Sequence, residues 1–320
     1  MKRKYALITA AVCLGVGLLL LLTALCLTGF DLSRLEAASL KARTMTLAEE
    51  IHTIEIHDIA NDISIIPSPD GQCRVHYSES DTSSYLIQVQ DGKLYIENQD
   101  TRKWYQRIGI QVSRPATLVV ELPTEESVPY DALTVQTVSG DICVGDDLFF
   151  TQSTLNSTSG DIRFQARASG VLAAVDTTVM RLYAETVSGE ICIACDDSGG
   201  YGSSIAVKST SGDITLSGLR TDELSARTTS GDISVCNARV NSRATLQSVS
   251  GDLSMENVHM DTAALQSVSG DIHLVLLTLM DFDAQTTSGS IKLPGSNPTA
   301  GLCELTTTSG DIEVVLLKSN

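Results

Sequence analysis

The feature that most constrains this chain is a hexapeptide, Thr-Val-Ser-Gly-Asp-Ile at residues 137–142, that returns eight more times before residue 313. From one glycine to the next (Gly140, Gly160, Gly189, Gly212, Gly231, Gly251, Gly270, Gly289, Gly310) the steps are 20, 29, 23, 19, 20, 19, 19 and 21 residues. A period near 20 marks a repeat architecture, in which each copy is one small supersecondary unit.

Aligned on the glycine, the copies show columns. Two residues after it stand Ile142, Ile162, Ile191, Ile214, Ile233, Leu253, Ile272, Ile291 and Ile312, and four after it stand Val144, Phe164, Ile193, Leu216, Val235, Met255, Leu274, Leu293 and Val314. The column between them is mixed, from Cys143 and Arg163 to Glu313. Apolar residues also recur five and seven before the glycine, with Ser153 the exception in the second of these columns. Alternation with period two predicts a strand with one buried face on each side of the corner. One such unit cannot cover its own apolar face, but stacked units can, at about 4.8 Å per layer. The fold class expected is all-β: a β-solenoid of ~20-residue repeats. A sandwich of hairpins is the alternative, because spacing does not give handedness or cross-section.

The corner itself is Ser139-Gly140-Asp141 in the first copy. The carboxylate column continues with Asp161, Glu190, Asp213, Asp232, Asp252, Asp271 and Asp311, while Ser290 replaces it in the eighth copy. Glycine suits a sharp bend because it reaches backbone angles closed to other residues. Asp and Ser side chains accept hydrogen bonds from backbone N–H groups that a bend leaves unpaired. Three before every glycine stands Ser or Thr, small enough to lie inside and bond from coil to coil. These residues are read as a structural corner motif. Stacked carboxylates also raise the question of calcium, whose ligands are carboxylate oxygens. The spacing is not the nine-residue glycine-rich period of calcium-binding β-rolls, so no cofactor is expected.

The repeated Ser-Gly-Asp-Ile with flanking alternation, over about residues 50–320, resembles the bacterial putative-adhesin family of Ser-Gly-Asp repeats. That family is also called the Toastrack domain and occurs in LiaG-like envelope proteins. The resemblance implies a β-solenoid outside the bacterial membrane, linked to the envelope and its stress response. It implies no enzyme activity and no catalytic residues.

Ahead of the repeats, residues 1–4 contain Lys2-Arg3-Lys4, and residues 5–30 carry no charge. About 20 apolar residues span a bilayer, and the flanking basic cluster favours the cytoplasmic side. The expectation is a single-pass signal anchor with a short cytoplasmic N-terminus and an extracytoplasmic repeat domain. A cleaved signal peptide is the competing reading, and the run is longer than the usual apolar core of one. Residues 31–49 have loose helical spacing and read as a juxtamembrane helix or a flexible stalk. Residues 50–135 read as irregular capping strands, including a worn corner at Ala60-Asn61-Asp62-Ile63 and a hairpin turning at Asp91-Gly92, and 136–320 as the regular repeats. Ile108–Val112 reads as one further strand, Ser169-Gly170 as a coil with a lost half, and 196–202 as a loop on the scaffold.

Charge excludes some partners. All 39 acidic residues and all but three of the 22 basic ones lie beyond residue 30, so that part carries −20. This argues against nucleic acid and against a basic patch for anionic lipid. The eight cysteines are not the dense framework of a small secreted domain, and they read as free thiols. The five histidines have no metal spacing and no nucleophile pattern beside them. Trp104, Tyr105, Tyr95 and Tyr130 suggest either a capping cluster or a sugar-stacking patch. The function expected is a non-enzymatic binding platform at the cell envelope, with a protein, glycan or lipid partner. The alternatives are a surface adhesin, a structural spacer, and a β-helix carbohydrate-active enzyme, which would need clustered carboxylates in a groove.

Overall fold

The computed structural model describes residues 40–80, 83–100, 117–124, 129–166, 180–195 and 201–317, together with Gly17. From Lys41 to Leu316 its regular elements are all strands. Each repeat gives one strand to each of two sheets. In the first sheet Ile142, Ile162, Ile191, Ile214, Ile233, Leu253 and Ile272 follow one another in parallel register. In the second, Val135, Leu155, Ala184, Val207, Ala226, Leu246 and Leu265 do the same. All fourteen are at most 1% exposed and belong to one core cluster. The 14-residue strand Leu253–Gln266 bends from one sheet into the other and joins them. Parallel neighbours throughout the regular copies mean stacked coils, since hairpins would pair antiparallel.

The spatial order of the coils differs from the sequence order at both ends. The strand Leu302–Ser309 pairs with Leu253–Gln266 on one side and with Asp281–Ser288 on the other. The strand Ile312–Leu316 likewise lies between Ile272–Leu276 and Ile291–Lys292. The ninth copy is thus inserted between the seventh and the eighth. The same device operates at the other end. Thr53–His57 lies between Lys93–Asp100 and Tyr130–Gln136, and Asp62–Pro67 between Thr117–Leu122 and Ile142–Val144. Beyond them the stack is closed by antiparallel strands. Ser83–Gln90 pairs with Lys93–Asp100 across Asp91-Gly92, whose φ values of 51° and 74° suit a tight hairpin turn. Cys73–Glu79 pairs antiparallel with Thr117–Leu122.

The helix-or-linker reading of residues 31–49 fails in their second half. Lys41–Leu47 is a strand, antiparallel to Cys73–Glu79, so the folded body starts before residue 50. An unpaired sheet edge outweighs the weak helical preference of this segment. Arg43 adds an ion pair to Glu79 at 2.6 Å, and Thr44 Oγ1 hydrogen-bonds His76 Nδ1 at 2.9 Å. Apart from Gly17, the expected anchor at 5–30 lies outside the described residues, as do Ile108–Val112, Ser169-Gly170 and residues 196–200 of the expected loop at 196–202; its last two residues, Tyr201 and Gly202, instead open the strand Tyr201–Lys208, in register with Arg220 and Thr221. Among the described residues no helix is long and apolar enough to cross a membrane.

Candidate functional site

The corners stack into a continuous spine. The hydroxyls of Ser157, Thr186, Ser209, Thr228, Ser248, Ser267 and Thr307 donate to the carbonyls of Gly140, Gly160, Gly189, Gly212, Gly231, Gly251 and Gly270, at 3.0–3.3 Å. Thr286 does the same to Gly310 at 3.0 Å. At several corners the hydroxyl also accepts from the N–H of its own glycine, as Ser157 does from Gly160 at 2.8 Å. Most of these Ser and Thr side chains are buried, and this is where their polar groups are satisfied. Ser139 joins the spine through its N–H, which donates to the Ile59 carbonyl at 3.0 Å.

The glycines are required for a reason other than the bend. None of the corner glycines has positive φ. A Cβ on any of them would fall closer than 3.0 Å to the backbone carbonyl of the adjacent coil. Gly140 stacks on Asn61, Gly160 on Gly140, and so on to Gly270, Gly310 and Gly289. The column is glycine because backbones approach too closely for a side chain.

The carboxylates form a ladder. The N–H of Asp141 donates to Asp62 Oδ1, that of Asp161 to Asp141, and that of Glu190 to Asp161, at 2.9–3.1 Å. It resumes with Asp232 on Asp213, Asp252 on Asp232, Asp271 on Asp252, Asp311 on Asp271 and Ser290 on Asp311, at 2.7–2.8 Å. Among the described residues the step from Glu190 to Asp213 lacks this bond, and Glu190 is the longer side chain. The Ser290 N–H, with help from its hydroxyl, holds the Asp311 carboxyl below its ordinary value. Each Asp in the ladder therefore already has an acceptor oxygen engaged by backbone. Among the described residues no group of three or more His, Cys, Asp or Glu is placed to hold a metal ion.

The worn first corner uses different chemistry at the same positions. Asp58 takes the Ser/Thr place and is buried. Its Oδ1 accepts from the N–H groups of Ile59, Ala60 and Asn61 at 2.6, 3.0 and 2.9 Å. Tyr85 donates its hydroxyl to Asp58, and Asn98 donates to Asp58 at 3.3 Å. Burial first, then the Asp58 charge, pushes the Tyr85 hydroxyl far up.

Beside the spine, on the second sheet, lies an open groove of about 650 Å³. One wall is the column four before the glycine, where Glu185, Lys208, Arg227, Gln247, Gln266 and Thr306 follow in register. The other wall includes Thr210, Thr229, Val249, Val268 and Thr308, over a floor of the buried spine hydroxyls. Tyr183 donates its hydroxyl to Glu185 and accepts from Lys208 Nζ at 3.2 Å, with that ammonium 5.3 Å from the ring centroid. Gln247 Nε2 donates to Gln266 Oε1 at 3.1 Å. Reading by columns misses this groove, because the outward columns look merely varied. The signal was there in Lys208 and Arg227, cations in consecutive copies of an acidic chain.

The other candidates are scattered. His57 contacts Glu55 at 2.7 Å, and the His57 hydrogen bond, followed by that of Lys93, holds the Glu55 carboxyl below its usual range. His76 lies 3.3 Å from Glu121 and His273 lies 3.8 Å from Glu313. Tyr95 packs by His57 and Tyr130 stacks on Phe150, with Trp104 and Tyr105 outside the described residues. Cys143 and Cys192 are separated by Arg163 in register, and the six described cysteines are free. Burial raises the Cys73 thiol to about 11 and the Cys303 thiol to about 12.

No curated protein matches the chain. Among solved structures, a putative adhesin from Bacteroides fragilis is 16% identical, covering 88% of this chain and 98% of its own, with a TM-score of 0.42. A putative lipid binding protein from Parabacteroides distasonis is 15% identical, covering 86% and 98%, with a TM-score of 0.41. A putative adhesin from Parabacteroides merdae is 9% identical, covering 87% and 96%, with a TM-score of 0.30. The family model Toastrack DUF4097 matches twice, over residues 51–195 and 176–320. With nearly all of the repeat body matched, the chain belongs to the Toastrack DUF4097 family.

Proposed function

We propose that this chain is a non-enzymatic binding platform of the bacterial cell envelope, held by its N-terminal segment in the membrane with the repeat body outside. The observation that carries the reading is the groove: a solvent-open trough set along a spine in which backbone, hydroxyl and carboxylate groups are tied from coil to coil. Such a trough offers a rigid line of contacts. Its lining contains one carboxylate, Glu185, already bonded to Tyr183, whereas glycoside hydrolysis uses two facing carboxyl groups. The uncharged run at 5–30 behind Lys2-Arg3-Lys4 supports the anchor and its orientation. The resemblance to LiaG-like proteins supports a place in the envelope-stress response. A surface adhesin is the alternative within the same class.

The test is a pull-down with the detergent-solubilised full-length chain against membranes and wall fragments of the producing organism, and against foreign cells. Saturable capture of its own envelope supports the platform. Capture of foreign cells alone moves the reading to an adhesin, and no capture at all leaves a spacer.

A further inference from the structure

The groove has a cationic centre that its one carboxylate, Glu185, offsets only in part. Lys208 and Arg227 sit directly opposite each other in parallel register, about 4.8 Å apart by strand spacing. Like charges so placed repel. On the far side of Lys208, Glu185 and Tyr183 form a partial counterweight. Arg227 has the neutral Gln247 on its far side, is exposed, and forms no ion pair among the described residues. An otherwise acidic chain of net charge −17 thus keeps a repelling cation pair in this groove. A bound anion would relieve that repulsion.

The rest of the groove says what carries the anion. Beyond Arg227 the wall is the amide pair Gln247–Gln266, and the opposite wall runs from the hydroxyls of Thr210 and Thr229 to the exposed Val249 and Val268, 46% and 47% accessible. Hydroxyls and amides beside an apolar step, presented at the regular spacing of the strands, match a sugar chain: polar edges, apolar ring faces, a regular repeat. The ladder Asp213–Asp232–Asp252 runs along the same corner and disfavours a ligand charged at every unit. We infer that this groove binds an extended anionic glycan with sparse acidic groups, lying along the stack with an acidic group at Lys208 and Arg227. The inference rests on the platform reading and gives its ligand a chemistry.

The experiment is a fluorescence-anisotropy titration of the full-length chain in detergent. The probes are a linear oligosaccharide with one carboxylate per disaccharide, an uncharged dextran of equal length, and inorganic polyphosphate. The expected result is saturable binding of the carboxylated chain, weakened at least tenfold by Arg227→Gln and by Lys208→Gln, and retained within about threefold in Arg227→Lys. Arg243→Gln, whose parent contacts Glu304 at 3.7 Å, leaves it unchanged. Thermal unfolding of each variant checks that the fold is intact. Equal binding by wild type and Arg227→Gln, equal binding of dextran, or tighter binding of polyphosphate each overturns the inference. If Arg227→Gln/Lys208→Gln still captures its own envelope as wild type does, the glycan site falls and the platform stands. If the wild type binds neither probe nor envelope, both fall.

Discussion

The backbone N–H of Asp252 donates to Oδ1 of Asp232, one coil below, at 2.8 Å. The bond turns a column of like charges into a column of acceptors. Replacing Asp232 by Ala leaves the Asp252 N–H to water and is expected to cost about 1 kcal/mol, the size of a cap or single hydrogen bond. Asp232→Asn keeps an oxygen in place and costs less. Urea unfolding measures both. Because the carboxylates are engaged by backbone, adding calcium or a chelator is expected to leave the wild-type midpoint unchanged.

Ser153 breaks an apolar column, between Leu133 and Leu182 in register, and its Oγ is buried without a hydrogen-bond partner among the described residues. An unsatisfied buried hydroxyl costs on the order of 1–3 kcal/mol. Ser153→Ala is expected to stabilise the fold by about 1 kcal/mol after the small loss of packing, read as a higher urea midpoint.

Ile312 and Ile291 are the same residue in the same column, paired in register, yet Ile312 is 0% exposed and Ile291 is 42% exposed. Ile312 has a coil on both sides, whereas Ile291 belongs to the outermost coil among the described residues. Ile312→Ala should cost about 2–5 kcal/mol by loss of core packing. Ile291→Ala should cost less than half as much. Thermal unfolding of the two variants side by side checks the coil order directly.

Acid should weaken the stack. The carboxyl of Asp311 is held low by the Ser290 N–H, and that of Glu55 by His57 and then Lys93. A folded-state value below the unfolded one gives stability that is present above the unfolded value. That stability is lost as pH falls through the ordinary carboxylate range, near 4, and on past the folded value. The unfolding midpoint should therefore drop on acidification through this range, with a shallower slope in Asp311→Asn.

Much of this fold is legible in the sequence because its packing repeats. The column from Ile142 to Ile272 is buried as its alternation requires, and the hairpin at Asp91-Gly92 follows from turn chemistry. The coil order at the ends is not legible from spacing, since the step from Gly289 to Gly310 is 21 residues and resembles any other. One residue carries the information. Ser290 replaces Asp in the copy that ends the ladder, where its N–H takes the Asp311 bond and no acceptor is needed beyond it. The strand Lys41–Leu47 was hidden because its partner, Cys73–Glu79, is distant in sequence and irregular. The groove was hidden because no single copy contains it: Lys208, Arg227 and Gln247 come from three repeats.

The central claim is that the repeated corner is a spine in which backbones touch, and the glycines test it most directly. A methyl group at Gly251 would collide with the Gly231 carbonyl, while at Gly145 its nearest neighbour, the Ile65 carbonyl, lies 3.4 Å away. Urea unfolding of Gly251→Ala and Gly145→Ala is the measurement. The account predicts a loss of at least about 3 kcal/mol for Gly251→Ala, as for other severe overpacking, and a change within about 1 kcal/mol for Gly145→Ala. Equal tolerance at both positions would contradict it.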